Sequence, residues 1–462
     1  MSTAGEQNDK ETDKVARVIG PRKITHLISS LGEDVLRIIG SFTNINSLLS
    51  TSIVFAEEKK RYYYWKLNKK ASSRYANETA FREAVQCVIH SPITQLSLSL
   101  DCKNNRRFTV SALTNVHTVS LDCVNSVTDA NVRTLSGCHT LTLKDCYSVS
   151  DVNCLAKVKH LDLRGCKLIR DVSKLEKCTY LNLSHCLGVH DVRALGNVET
   201  LKLRYCSSIT DVKELKNVKN LDLTGCNGVN DVSSLGSVHT LNLSHCRAIR
   251  DPTALYALGN VHTLILKCCD GITDVSTLSN VHTLDLSNCT SITDVTGLGN
   301  VHTLNLSGCK GISDVSHLQH VKELNLSHCR GIHFVGSLGT CHTLNLSDCQ
   351  GVSEVSALGT VHNLDLTNCR GITDISALGS VHTLNLSSCQ GITDVSALST
   401  VHHLDLSYCD GITDISMLAG LLSLDISGCL GITNISTVYN VVRSLKHRFV
   451  RSKGVCLGKG GL

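Results

Sequence analysis

The sequence predicts an α/β solenoid, a parallel strand ladder built from many thin copies of one unit. Three observations carry this reading. The stretch 281–300, VHTLDLSNCTSITDVTGLGN, recurs with the same skeleton from residues 301, 321, 341, 361, 381 and 401, a spacing of 20 residues. Within it Leu284 and Leu286 alternate with polar residues, the period-two pattern of a short strand with one buried face. The remainder, Thr293 to Asn300, is too short for an ordinary helix and suits a tight turn with one turn of 3₁₀ helix. One copy cannot bury its own apolar edge, whereas stacked copies share a continuous core.

Taken in order, the chain opens on a polar stretch, 1–23, expected to be disordered. Residues 24–70 change character. Val35, Leu36, Ile39 and Phe42 stand at helical spacing, Asn44 to Leu49 reads as a capped second helix, and Ser52 to Leu67 reads as a third helical segment. Residues 71–93 form a linker and N-terminal cap with a helical stretch from Glu78 to Ile89, ended by Pro92. The array follows over 94–435. The first Leu of each strand stands at 141, 161, 181, 201, 221, 241, 264, 284, 304, 324, 344, 364, 384, 404 and 424, with two weaker copies at Val119 and Leu96. This makes about 17 repeats. The copy holding Pro252 to Tyr256 is three residues longer and is expected to bulge without breaking the ladder. In 436–462, Val438, Val441, Val442 and Leu445 take helical spacing and read as a C-terminal helical cap before a basic tail.

Charge and cysteine usage narrow the function classes. The net charge of +5 is uneven: 1–95 hold 14 Lys/Arg against 10 Asp/Glu, 436–462 hold 6 against 0, and the array between them holds 25 against 30. The array is therefore not a basic nucleic-acid surface, and no nucleic acid is expected as a partner. The N-terminus is polar, without the pattern of a signal peptide, and no run of 18 apolar residues occurs, so no membrane span is expected. The 24 cysteines would suit a disulfide-rich secreted protein, but Asn242, Asn305, Asn345 and Asn385 begin sequons whose sugars would crowd the strands. An intracellular location, cytoplasmic or nuclear, fits better.

In a stack each repeat position becomes a row with neighbours about 4.8 Å apart. The fifteen cysteines from Cys146 to Cys429 suit a buried turn, each thiol meeting a backbone carbonyl. The aspartates at 151, 171, 191, 211, 231, 274, 294, 314, 374, 394 and 414 suit capping of the 3₁₀ turns. Gly271, Gly311 and Gly371 are expected to serve a left-handed turn. Ten histidines, including His282, His302, His362 and His382, stand two residues before the strand Leu and are expected to stack as neutral rings. The residues flanking the cysteine vary from copy to copy and read as free of the fold's demands. Among them Tyr205, His245, Arg247, His328, Arg330, Arg370, Tyr408 and Asp410 are the candidates for binding a partner. Phe334, standing where the row usually holds Asp, joins them, expected either partly exposed as a contact or tucked into the adjoining turn. No nucleotide loop, nucleophile set or zinc helix is present. The reading is therefore not an enzyme, with no catalytic residue, metal or cofactor.

Two resemblances add to this. The array, in its Leu-x-Leu-x-x-Cys and Ile-Thr-Asp-Val-Ser-x-Leu elements, resembles the leucine-rich repeat. The first element is similar to the cysteine-containing form of F-box proteins, the second to the short repeats of internalins. That likeness implies a horseshoe or arc. The order Leu31, Val35, Leu36, Ile39, Ser41, Phe42, Leu48, Leu49, Ser52, Val54, Trp65 resembles the F-box, with Gly32 in place of the family's Pro. It implies a small all-helical N-terminal domain over 24–70 that binds a Skp-family adaptor and its cullin through Leu31, Val35, Leu36, Ile39, Phe42, Leu48 and Leu49. The array would then hold an unknown protein target for ubiquitin transfer. The alternative is a binding scaffold or regulatory solenoid without ubiquitin chemistry, whose N-terminal helices only shield the first repeat.

Overall fold

The computed structural model describes residues 127–250 and 252–433 without a break and residues 116–122. It also describes the strands Ser52–Phe55, Tyr63–Lys66, Thr94–Asp101 and Phe449–Arg451, and a few isolated positions from 73 to 113. The chain divides into two compact units, 1–169 with 177–181, and 170–176 with 182–462. Among the described residues no helix is long and apolar enough to cross a membrane.

In the first unit Ser52–Phe55 pairs antiparallel with Tyr63–Lys66, Ile53 opposite Trp65. Tyr63–Lys66 then runs parallel to Thr94–Asp101, which starts a ladder through Thr118–Asp122, Thr140–Thr142 and His160–Asp162. This corrects the expectation of a third helix over Ser52 to Leu67. Ile53-Val54-Phe55 and Tyr63-Tyr64-Trp65 are β-branched and aromatic residue types, which favour extended backbone, and a short apolar run satisfies either period. The first copy also shifts by two residues. Val119 pairs with Leu98, and Leu96 pairs with Trp65, so the first repeat's Leu pair is Leu98 and Leu100. In the linker, the Arg82 N–H donates to the Glu78 carbonyl, one helical turn where a helix is expected. The adaptor residues Leu31, Val35, Leu36, Ile39, Phe42, Leu48 and Leu49 lie outside the described residues.

In the second unit a parallel ladder runs from Thr200–Lys202 through Ser423–Asp425, with Leu opposite Leu at every step from Leu201↔Leu221 to Leu404↔Leu424. Phe449–Arg451 adds one more parallel strand, Val450 opposite Leu424. Here the expected C-terminal helix meets a correction at its end. The last layer offers unpaired N–H and C=O groups, and Phe-Val-Arg satisfies them as a strand. The rest of 436–462 lies outside the described residues.

Most described layers return through a short 3₁₀ turn, such as Ser276–Leu278 or Thr296–Leu298, while 171–178 holds plain turns and Asp129–Thr134 is α-helical. In the longer copy, Pro252–Tyr256 is a helical turn running into the 3₁₀ turn Ala257–Asn260, and Leu241↔Leu264 keeps the ladder in register across it. The core is the same in every layer. In the layer 281–300, Val281, Leu284, Leu286, Cys289, Ile292, Val295 and Leu298 are all 2% exposed or less. Burying each such Leu, Ile or Val stabilises the fold by roughly 1.5–3 kcal/mol relative to leaving it in water.

The glycines before the buried Ile correct another expectation. Gly311 and Gly371 have ordinary backbone angles, and their requirement is room. A Cβ on Gly311 would stand 2.9 Å from the Ile292 carbonyl oxygen, and one on Gly371 would stand 3.0 Å from that of Val352, both in the preceding layer. Gly271 is crowded the same way by the Ile249 carbonyl at 2.9 Å.

Candidate protein-binding surface

Most rows are committed to the fold. The cysteines are buried free thiols, and each Sγ–H from Cys206 to Cys429 donates to the carbonyl of the second strand Leu one layer earlier, as Cys309 to Leu286 at 3.2 Å and Cys329 to Leu306 at 3.1 Å. Burial pushes the Cys309 and Cys329 thiols up to about 12, so they stay protonated and unreactive. No group of three or more His, Cys, Asp or Glu among the described residues has a metal-binding arrangement.

The aspartate row caps as expected. All eleven Asp Oδ1 atoms accept the N–H two residues on, at 2.8–3.1 Å. Glu354 does the same for Ser356. These bonds favour the ionised form, so Asp294, Asp314, Glu354 and Asp374 are held below the usual carboxylate range. A second capping row escaped the sequence reading. Where Asp or Asn follows the first strand Leu, its Oδ1 accepts the N–H two residues on, as Asp285 from Ser287 at 2.8 Å and Asn305 from Ser307 at 3.1 Å. Its signal is the repetition of Asn or Asp after the first strand Leu, broken at Thr142, Lys202 and Ile265.

The histidines stack in two runs. His239, His262, His282 and His302 have ring centroids 4.6–4.7 Å apart, and His342, His362, His382 and His402 are 4.4–4.7 Å apart. In most layers Nδ1 meets the next residue's hydroxyl, as His302 with Thr303 at 3.2 Å. Desolvation and then the neighbouring rings lower the pKa of His382, and the same causes lower His117, stacked on His139 in the first unit, to about 4.

The residues before the cysteines are not free of the fold. All fifteen, from Asp145 to Gly428, adopt positive φ. Gly, Asn, Asp and His fill eleven of these places, and those are the types that tolerate left-handed backbone. This composition was the available signal. Tyr205 at φ 57° and Tyr408 at φ 61° are costlier occupants, and each is followed one layer on by a glycine. A Cβ on Gly225 would stand 2.4 Å from the Tyr205 ring, and one on Gly428 would stand 2.6 Å from the Tyr408 ring. Each ring thus lies in the space that the next layer's glycine leaves. Tyr205 also stacks on His185 at 4.9 Å.

The candidate residues fall into three places. Tyr205, His245, His328 and Tyr408 occupy the left-handed row; His328 Nδ1 lies 3.4 Å from an Asp348 carboxylate oxygen. Arg247, Arg330, Arg370 and Asp410 occupy the exposed row after the cysteine. There Arg370 Nε donates to Asn368 Oδ1 at 3.0 Å, and Asp410 Oδ1 accepts the Leu430 N–H at 3.2 Å. Phe334 stands in the carboxylate row, 86% exposed. Exposed Leu187, Leu430 and Met417 were not foreseen.

Two stretches, 317–333 and 397–419, match the leucine-rich-repeat family model. The chain has no significant match among the curated proteins. Among solved structures it is similar to a leucine-rich-repeat protein of Leptospira interrogans at 17% identity and a TM-score of 0.51, over 74% of this chain and 97% of that one. It also matches an internalin, InlF, of Listeria monocytogenes at 21% identity, TM-score 0.39, over 58% of this chain and 79% of that one. The functional domain of InlJ from Listeria monocytogenes, which includes a cysteine ladder, matches at 17% identity, TM-score 0.41, over 64% and 69% of the two chains. The parallel ladder and its returns thus share the fold of the Leptospira leucine-rich-repeat protein, and the two matched stretches within it are similar to the leucine-rich repeat.

Proposed function

We propose that the array is a non-enzymatic protein-binding surface. One observation carries this: large apolar side chains stand exposed at loop positions where the repeat mostly places polar residues or glycine. Phe334, Tyr408 and Leu430 are 86%, 61% and 59% exposed. Aromatic anchors of this kind dominate the energetics of protein interfaces. The buried cysteine row, by contrast, is committed to the fold, its thiols bonded to backbone carbonyls of the preceding layer.

A finer reading makes the chain a substrate-recognition subunit of a Skp–cullin–F-box ubiquitin ligase. It is supported by the residue order from Leu31 to Trp65 immediately before the repeats. The paired strands Ser52–Phe55 and Tyr63–Lys66 weigh against a wholly helical domain and favour a plain cap for the ladder's first edge. Affinity capture from cells, with residues 1–75 present or deleted, separates the two. Loss of adaptor and cullin on deletion supports the ligase reading. Partners unchanged by the deletion support the scaffold.

A further inference from the structure

The carboxylate row makes its exception informative. Residues 270–433 hold 15 Asp/Glu against 4 Lys/Arg, a net of −11. Six of the aspartates and Glu354 lie in this one row, at 274, 294, 314, 354, 374, 394 and 414, all exposed. None of the four cations shares the row. Lys322 stands among the histidines, and Lys310, Arg330 and Arg370 stand after the cysteines. Strand register puts consecutive layers in step, so Asp314 and Glu354 occupy the row's places in the layers immediately either side of Phe334, and Asp294 and Asp374 those in the next layers out.

Phe334 interrupts the row at a cost to the fold. It exposes an aromatic ring and gives the Gly336 N–H no carboxylate acceptor of the kind that the row supplies at 274, 294, 314, 354, 374, 394 and 414. Nothing in the layer's packing explains the residue. The ring is not in the core, and a Cβ on Gly336 beside it would meet no atom within 4 Å.

From this we infer that Phe334 and its flanking carboxylates form a docking site for a basic protein segment with a central apolar side chain. Charge complementarity selects this occupant. Any segment covering Phe334 comes within reach of Asp314 and Glu354, which face no cation in their own row, so Lys and Arg are favoured and acidic residues are repelled. An extended segment rises about 3.3 Å per residue, so cations one to three residues either side of the apolar residue match the spacing. The apolar contact supplies affinity, and the carboxylates supply specificity and on-rate. This site rests on the protein-binding reading and locates one part of it.

The test is a random-peptide display selection on the full chain, in parallel with Phe334→Asp and with the double variant Asp314→Asn, Glu354→Gln. Phe334→Asp restores the row's own residue and should fold as well as the parent. The double variant keeps amide oxygens as caps while removing both charges. Expected are peptides with an apolar centre and flanking Lys/Arg that bind Phe334→Asp at least tenfold more weakly. They should bind the double variant with reduced affinity and a weaker salt dependence. No enrichment, acidic or uncharged winners, or equal binding to Phe334→Asp would overturn the site. If cellular partners are still captured by Phe334→Asp, the array binds elsewhere and only this site falls.

Discussion

Replacing Gly391 by Ala tests the layer spacing on which the fold depends. A Cβ at this position would lie 2.6 Å from the Ile372 carbonyl oxygen, 3.1 Å from Thr373 Cγ2 and 3.4 Å from the Arg370 carbonyl oxygen. The closest of these is backbone in the preceding layer, so it cannot swing away as a side chain can. Relief requires local opening of the stack by several tenths of an ångström, beside Ile372 and Ile392, which are wholly buried. Overpacking of this kind costs about 1–3 kcal/mol. Gly336→Ala is the matched control. Its Cβ meets nothing within 4 Å, and reduced freedom of the unfolded chain should stabilise by about 0.4–1 kcal/mol. Guanidinium unfolding followed by far-ultraviolet circular dichroism reads both, with midpoints compared at equal slope. A Gly391→Ala midpoint at or above the parent's would refute the argument that close approach, not backbone angle, selects glycine here.

Phe334→Asp should raise stability by about 0.5–2 kcal/mol, the usual worth of such a cap, as measured by the same unfolding midpoint. The buried thiols should resist Ellman's reagent at pH 8 until the chain unfolds, because burial holds groups such as Cys309 near 12; native-state reaction at the rate of a free thiol would contradict this. His117, lowered to about 4, binds its proton on unfolding anywhere between that value and about 6.5. The unfolded state then holds more protons, so stability is full above about pH 6.5 and declines as pH falls toward 4. His117→Gln should flatten the melting-temperature slope over that interval. Asp191, held near 2 first by its bonds from Arg193, contributes its own loss only below about pH 4, which separates the two effects.

The repeat was legible because its period is long, regular and tied to burial. All seventeen expected strands are present, and only the first shifts register, from Leu96 to Leu98. That shift preserves period two, so alternation alone could not detect it. The thiol and aspartate rows were read correctly because Cys and Asp each have a narrow use at a tight turn. Gly311 was misread because glycine answers two demands, positive φ and close approach, and only coordinates separate them. The left-handed row was missed because Tyr205, Tyr408 and Ser388 made it look like free variation. Grouped by backbone tolerance, its Gly, Asn, Asp and His residues would have exposed it. At Ser52–Phe55 the expected third helical segment is a strand, because a short apolar run such as Ile53-Val54-Phe55 carries no period that separates a helix face from a strand.

The claim that the array itself binds protein is tested most directly by cross-linking mass spectrometry on the full chain captured from cells. The account predicts partner cross-links to the exposed loop rows of residues 182–433, among them the Lys310 and Lys322 side chains nearest Phe334 in the repeat order. Partner cross-links confined to residues 1–93 and 436–462, with none on the array, would contradict it.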